Sequence, residues 1–237
     1  MISATNSYPP LEGTRPDSTL RAHAQSVLRN AILNGQFKVG QKLIERELCE
    51  LTGASRSILR EALVNLEANG LIERQSYRGF TVTRISPRKV NEIFELRATL
   101  ETLAAELFTE RASEQEIAEL REVMVELEAC VAEFEIGVEF EIGRMRTAKE
   151  RYYNILFTGC RNNEIRRALE NVIDRIYYLR SKTLMDAERR NVSLEEMRRL
   201  TTALVNRDRL AARAACAAHI IAARDTVLHL MARENDS

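Results

Sequence analysis

The chain has 237 residues, 35 Lys or Arg against 35 Asp or Glu, three His, and 45% hydrophobic residues. That length suits two domains, and the apolar share is enough for a packed core in each. Zero net charge excludes binding nucleic acid through bulk charge, although a local basic head remains open. The four cysteines, Cys49, Cys130, Cys160 and Cys216, have no Cys-x-x-Cys spacing. No apolar run approaches the ~18 residues of a membrane span, and the N-terminus lacks a signal-peptide core. We expect a cytoplasmic protein with reduced thiols and no membrane partner.

In chain order, residues 1–16 carry Pro9, Pro10 and Pro16 among Ser, Thr and Asn, and we expect a disordered leader. Ser18 to Leu33 has the apolar spacing of a helix and stops at Asn34-Gly35. A short helix is expected from Leu43 to Leu51, with a tight bend at Gly53. The stretch that follows is the most informative one. Leu59, Ala62, Leu63 and Leu66 fall at the i, i+3, i+4, i+7 positions of a buried helical stripe. Ser55 is placed to cap this helix, and Arg56, Ser57 and Arg60 lie off its apolar face. Such a helix suits a DNA major groove, where Arg bonds guanine edges or phosphate. An ordinary amphipathic helix with a solvated basic face has the same spacing.

The next segment favours the first reading. Leu71–Arg74 and Phe80–Arg84 have strand character around a turn at 75–79, which makes a hairpin wing with Tyr77, Arg78 and Gly79 at its tip. Three helices and a hairpin over residues 17–85 form a winged helix-turn-helix. This segment holds ten Lys or Arg against seven Asp or Glu, an excess of three. Beyond it, residues 86–234 are expected to be all α-helical, so the fold as a whole is mainly α. Ser86 and Pro87 open a long helix. Ser113 with Glu116, and Ser193 with Glu196, have capping-box spacing, and Asp208 is placed to cap a last Ala-rich helix. A doubled motif, Glu133-Phe134-Glu135-Ile136-Gly137 and Glu139-Phe140-Glu141-Ile142-Gly143, alternates like a strand, but we read it as a loop or helix start.

Taken together, the run Ile32 to Leu43, then Arg46-Glu47-Leu48, Gly53, Ser55-Arg56, Arg60-Glu61-Ala62-Leu63, Leu66 to Ile72 and Arg78-Gly79 resembles the GntR family of transcriptional regulators. Ile58 replaces the proline that the family commonly has in this helix. The resemblance implies that Arg46, Ser55, Arg56, Ser57 and Arg60 contact operator DNA, assisted by the wing around Arg78 and Gly79. Val90 to Glu101 is similar to the first helix of the FCD effector domain of the FadR-type branch. Asn162, Ala203, Asp208 and His219 fall where that pattern expects them.

Many FCD domains hold a divalent metal with an aspartate and three histidines, often with an organic acid. Alignment to that pattern puts Lys149 at the aspartate, Tyr153 and Met197 at two histidines, and keeps only His219. An ammonium has no lone pair and repels a cation, so we expect no metal and no cofactor. Cys216 and His219, an i, i+3 pair, are too few for a closed zinc site. If the pocket persists, Arg97, Lys149, Tyr153, Met197 and His219 line it and grip an organic acid or other anion directly. The alternative is that Lys149 reaches solvent and Tyr153 fills the vacated volume.

The expected function is therefore a homodimeric, sequence-specific regulator, a repressor by default, that binds a palindromic double-stranded operator under control of a small anionic effector. Two other classes stay open: a constitutive DNA-binding regulator with a degenerate sensor, and an enzyme. No nucleophile–base pair, phosphate loop or complete metal cluster supports the enzyme.

Overall fold

The computed structural model describes residues 17–75, 79–135, 142–170 and 172–235. Thus the leader, Tyr77 and Arg78, and residues 136–141 of the doubled motif lie outside the described residues. The head comprises α1 (Asp17–Leu33), β1 (Lys42–Leu43), α2 (Glu45–Thr52), α3 (Arg56–Ala68), β2 (Ile72–Gln75) and β3 (Gly79–Val82). β3 is the central strand of an antiparallel sheet ordered β1-β3-β2, with Glu73 and Lys42 both opposite Thr81. The stripe read from the sequence is buried, since Leu59, Ala62, Leu63 and Leu66 are all fully covered. Each large side chain so buried contributes about 1.5–3 kcal/mol.

Two local features orient α3. Gly53 ends α2 at φ +66°, a left-handed conformation that a side chain would strain. Ser55 is extended, and its hydroxyl accepts from the Ile58 N–H at 3.4 Å, so it caps α3 as expected. One boundary differs from expectation. Leu43 belongs to β1 rather than to α2, because it pairs with Phe80 and is buried beneath the sheet.

Behind the head, α4 (Pro87–Arg111), α5 (Glu114–Glu135), α6 (Ile142–Gly159), α7 (Asn163–Glu170), α8 (Ile173–Met185), α9 (Ala187–Val205) and α10 (Arg209–Asn235) form a helical body. α4 packs along α10, α5 along α6 and α9, and α8 closes against α6, α9 and α10. The caps at Ser86, Ser113–Glu116 and Asp208 form as the sequence suggests: the Lys89 N–H meets the Ser86 hydroxyl at 3.2 Å, the Ser113 N–H meets the Glu116 carboxylate at 2.9 Å, and the Ala211 N–H meets Asp208 at 2.9 Å.

The expected box at Ser193 and Glu196 does not form. These residues lie inside α9, which begins six residues earlier with Asp186 accepting from the Arg189 N–H at 2.8 Å. Their side chains are engaged elsewhere, in a buried cluster between the helices.

Candidate functional site

Ser55, Arg56, Ser57 and Arg60 are exposed on one side of α3, with Arg46 exposed on α2. Ser55 and Ser57 share a hydroxyl hydrogen bond of 3.1 Å, which brings both toward the helix start. Arg56 makes no ion pair among the described residues. Arg60 is engaged, for its Nε lies 3.1 and 3.2 Å from the two Glu45 oxygens. Arg46 lies a loose 3.8 Å from Glu50. Gly79 opens β3 at φ +82°. Arg60 must therefore exchange Glu45 for a DNA partner, whereas Arg56 is ready to bind. We expect Glu45→Gln to tighten DNA binding several-fold in a gel-shift titration at low salt. Unchanged affinity would show that the pair does not restrain Arg60.

The body contains a second concentration of chemistry, assembled from α4, α6, α8, α9 and α10. Arg97, only 1% exposed, donates from Nε to Glu101 at 2.8 Å. Arg180 reaches the same carboxylate at 3.3 Å, and its guanidinium carbon lies 3.5 Å from the centre of the Tyr153 ring. Arg189 makes a forked pair with Glu196 at 2.9 and 2.6 Å, and His219 Nδ1 lies 2.7 Å from Glu196. Lys149 donates to the Ser193 hydroxyl at 2.9 Å, so it is buried rather than directed to solvent. Together with Thr183 and Ala223, these side chains surround a cavity of about 10 Å³, room for roughly one water.

The cluster has excess positive charge. Three guanidiniums face two carboxylates, and Lys149 adds a fourth cation when protonated. Burial, followed by the fields of Arg180 and Arg189, lowers the Lys149 ammonium from 10.5 to about 7. Burial also lowers His219 to about 4, so at neutral pH its Nδ1–H donates to Glu196. Burial alone would raise the Glu101 carboxyl, but Arg97 and Arg180 outweigh it and keep the group ionised. Arg97 Nη1, Arg180 Nη1 and Arg189 Nε are buried without a hydrogen-bond partner among the described residues. Orphaned charged donors of this kind call for an anion.

This donor set does not fit a divalent metal. Its histidine is tied to Glu196, and four cations crowd the space. Among the described residues no group of three or more His, Cys, Asp or Glu is placed to hold a metal ion. Burial raises the Cys216 thiol well above its ordinary range, which removes the thiolate that zinc would need.

The cluster shares its helices with the contact between body and head. Asp174, in the first turn of α8 and 4% exposed, accepts from Arg29 of α1 at 2.6 Å and from Asn69, the C-cap of α3, at 2.6 Å. Arg29 also lies over the Tyr177 ring at 4.9 Å, and Arg180 lies 5.7 Å from the other end of this relay, at the same ring. On α6, Arg146 donates to Asn34 at 2.8 Å and to Asn30 at 3.2 Å. Gly70, at φ +73°, would place any added Cβ 3.0 Å from the Arg175 side chain, so the end of α3 meets α8 without room for one. α6 and α8 thus hold pocket residues and head contacts together.

Of the five pocket residues expected from sequence, Arg97, Lys149, Tyr153 and His219 converge on the cationic cavity. Met197 does not line it; it is buried beside Lys149 in an adjoining apolar space. Glu101, Arg180, Arg189, Ser193 and Glu196 were not anticipated. Ser193 and Glu196 carried a signal, their spacing, that a helix cap explained equally well.

Residues 20–82 match the family described as bacterial regulatory proteins, gntR family, and residues 92–222 match the FCD domain. The chain is 32% identical to the uncharacterized HTH-type transcriptional regulator YdhC of Bacillus subtilis (strain 168), over 81% of this chain and 84% of that protein. It is 30% identical to the Nta operon transcriptional regulator of Aminobacter aminovorans, over 82% of this chain and 88% of that one. In fold it is similar to E. coli McbR/YncC, with a TM-score of 0.72 at 22% identity over 90% of this chain and 98% of that one. A putative transcriptional regulator GntR from Rhodococcus sp. RHA1 superposes with a TM-score of 0.73 at 19% identity, covering 89% and 98%.

Proposed function

The chain belongs to the gntR family of bacterial regulatory proteins and carries an FCD domain, and on that premise we propose that it is an effector-controlled repressor whose ligand is a small anion held without metal. Its family and relatives are transcriptional regulators, not enzymes. Two chains associate and present α3 to successive major grooves of a palindromic duplex, with Arg56 and Ser57 leading. The observation that carries the effector reading is the buried cationic cavity with its three unpartnered guanidinium nitrogens. In place of a metal, Arg97, Arg180, Arg189 and Lys149 supply the positive charge that grips a carboxylate or similar oxyanion.

Coupling runs through α8 and α6. An anion drawing Arg180 toward it changes the stacking of Arg180 on Tyr153 and Tyr177, and Tyr177 carries Arg29 on its other contact. Asp174 then holds Arg29 and Asn69 less or more firmly, and the angle of α3 follows. A coupling of ~1–3 kcal/mol gives a 5–150-fold change in operator affinity. We expect Asp174→Ala to bind operator with its response to anion reduced to less than twofold, measured by fluorescence anisotropy. A full response in that variant would place the coupling elsewhere.

The test of the anion reading is melting of the purified protein in citrate, succinate, phosphate and hexanoate. At least one should raise the melting temperature by several degrees, and Lys149→Ala should remove most of that gain. No shift with any of them would leave a constitutive DNA binder. Metal analysis should find no stoichiometric ion, and one zinc per chain would overturn the metal-free site.

Binding should also take up a proton. Lys149 is faced by Arg97 on α4, Arg180 on α8, Arg189 and Glu196 on α9 and His219 on α10, and an added anion offsets the cations that depress it. Affinity is then greatest below pH ~7 and falls as pH rises above it. Calorimetry in two buffers of different ionisation enthalpy reads the proton directly; equal apparent enthalpies would contradict it.

A further inference from the structure

Lys149 lines two cavities, not one. The second, also of about 10 Å³, is bounded by Leu127 and Val131 of α5, Met145 of α6, and Leu194 and Met197 of α9, with Arg190 at its side. The Arg190 guanidinium donates to the Leu184 carbonyl at 2.6 Å, and the Lys149 ammonium donates to Ser193. What remains toward this space is aliphatic and thioether surface. A water needs two to four polar partners, so the space suits hydrocarbon better than solvent. On the opposite side of Lys149 lie the unpartnered guanidinium nitrogens.

Resting on the anionic-effector reading above, we infer that the two cavities are the two ends of one ligand site, and that the ligand is an amphiphilic anion. Its oxyanion head meets Arg97, Arg180 and Arg189, and a short unbranched aliphatic tail lies between α5, α6 and α9. Lys149 stands at the junction, with its ammonium beside the head and its four-carbon stem along the first tail carbons. Met145 and Met197 have the unbranched, flexible side chains that repack around such a tail. Leu194, only partly buried, marks the way in. The same lining rejects a second charge at the tail end, because a carboxylate among Leu, Val and Met would be desolvated without a partner.

Calorimetric titration at pH 7 with acetate, butyrate, hexanoate and adipate tests this. Affinity should rise about fourfold for each methylene from acetate to hexanoate. Adipate, which is hexanoate with a second carboxylate at its far end, should bind at least tenfold more weakly than hexanoate. Leu194→Gln should flatten the ladder while keeping the affinity for acetate, and Leu194→Phe, which adds volume rather than polarity, should cut it short. The unliganded melting temperatures of both variants report whether they fold. Equal affinity along the series, or adipate matching hexanoate, would overturn the tail site and leave the anion site standing. Failure of every carboxylate to bind would refute both.

Discussion

Replacing Arg56 by alanine should weaken specific operator binding by roughly 30-fold to 10⁴-fold without unfolding the protein. A bidentate arginine contact to a base is worth ~1–3 kcal/mol, and a dimer loses it in both half-sites. Arg56 opens α3, is exposed, and makes no ion pair among the described residues. The stripe that holds the helix in place, Leu59, Ala62, Leu63 and Leu66, is on its other side. Stability should therefore change by less than ~0.5 kcal/mol. The salt dependence of binding separates two roles for this residue. A guanine contact leaves the slope of log K against log salt nearly unchanged, whereas a lost phosphate contact lowers it by about one. Arg60→Ala should cost less, since Arg60 first gives up Glu45. Wild-type affinity in both variants would remove α3 as the reading element.

Replacing Glu101 by alanine should destabilise the body by about 3–5 kcal/mol, the cost of leaving buried charge uncompensated. Glu101 is fully buried and is the shared partner of Arg97 and Arg180. Without it, two guanidiniums face each other across a space that water does not fill. Urea unfolding followed by helical circular dichroism measures the loss, and a change below ~1 kcal/mol would show that the pair is dispensable. Phosphate or hexanoate should stabilise this variant more than the wild type, because the surplus of positive charge has grown. The pH dependence has a definite sign. The folded carboxyl is held below its ordinary value of 4.5, so its contribution is complete above that pH and lost as pH falls through the depressed folded value.

Most of the head was legible in the sequence, and the reason is periodicity. The α3 stripe, the Ser55 cap, the Gly53 bend and the hairpin each depend on residues within a few positions of one another. The error at Leu43 came from a non-local cause, its pairing with Phe80 on a strand nearly forty residues away. The body was harder for the same reason. Arg180 and Arg189 look like surface arginines on amphipathic helices, and only the packing of α8 and α9 against α4 and α10 turns them inward. Ser193 and Glu196 mimic a helix start because serine and glutamate at that spacing serve a capping box and a polar cluster equally well. Lys149, Tyr153 and His219 were found because an expected ligand set had been replaced, and a replacement is visible in sequence when a new partner is not.

The coupling between head and body could not be read at all. Arg29, Asn69 and Asp174 are far apart in the chain, and none belongs to a recognisable motif. Their bonds of 2.6 Å exist only because α1 and the end of α3 rest on α8.

The central claim is that α3 reads a specific duplex as one half of a symmetric pair. Selection of bound sequences from a pool of randomised duplexes, with wild type and Arg56→Ala in parallel, tests it most directly. The wild type should enrich a short inverted repeat whose half-sites occupy successive major grooves, and the variant should enrich nothing above the starting pool. Recovery of the same repeat by Arg56→Ala, or of no common sequence by the wild type, would contradict it.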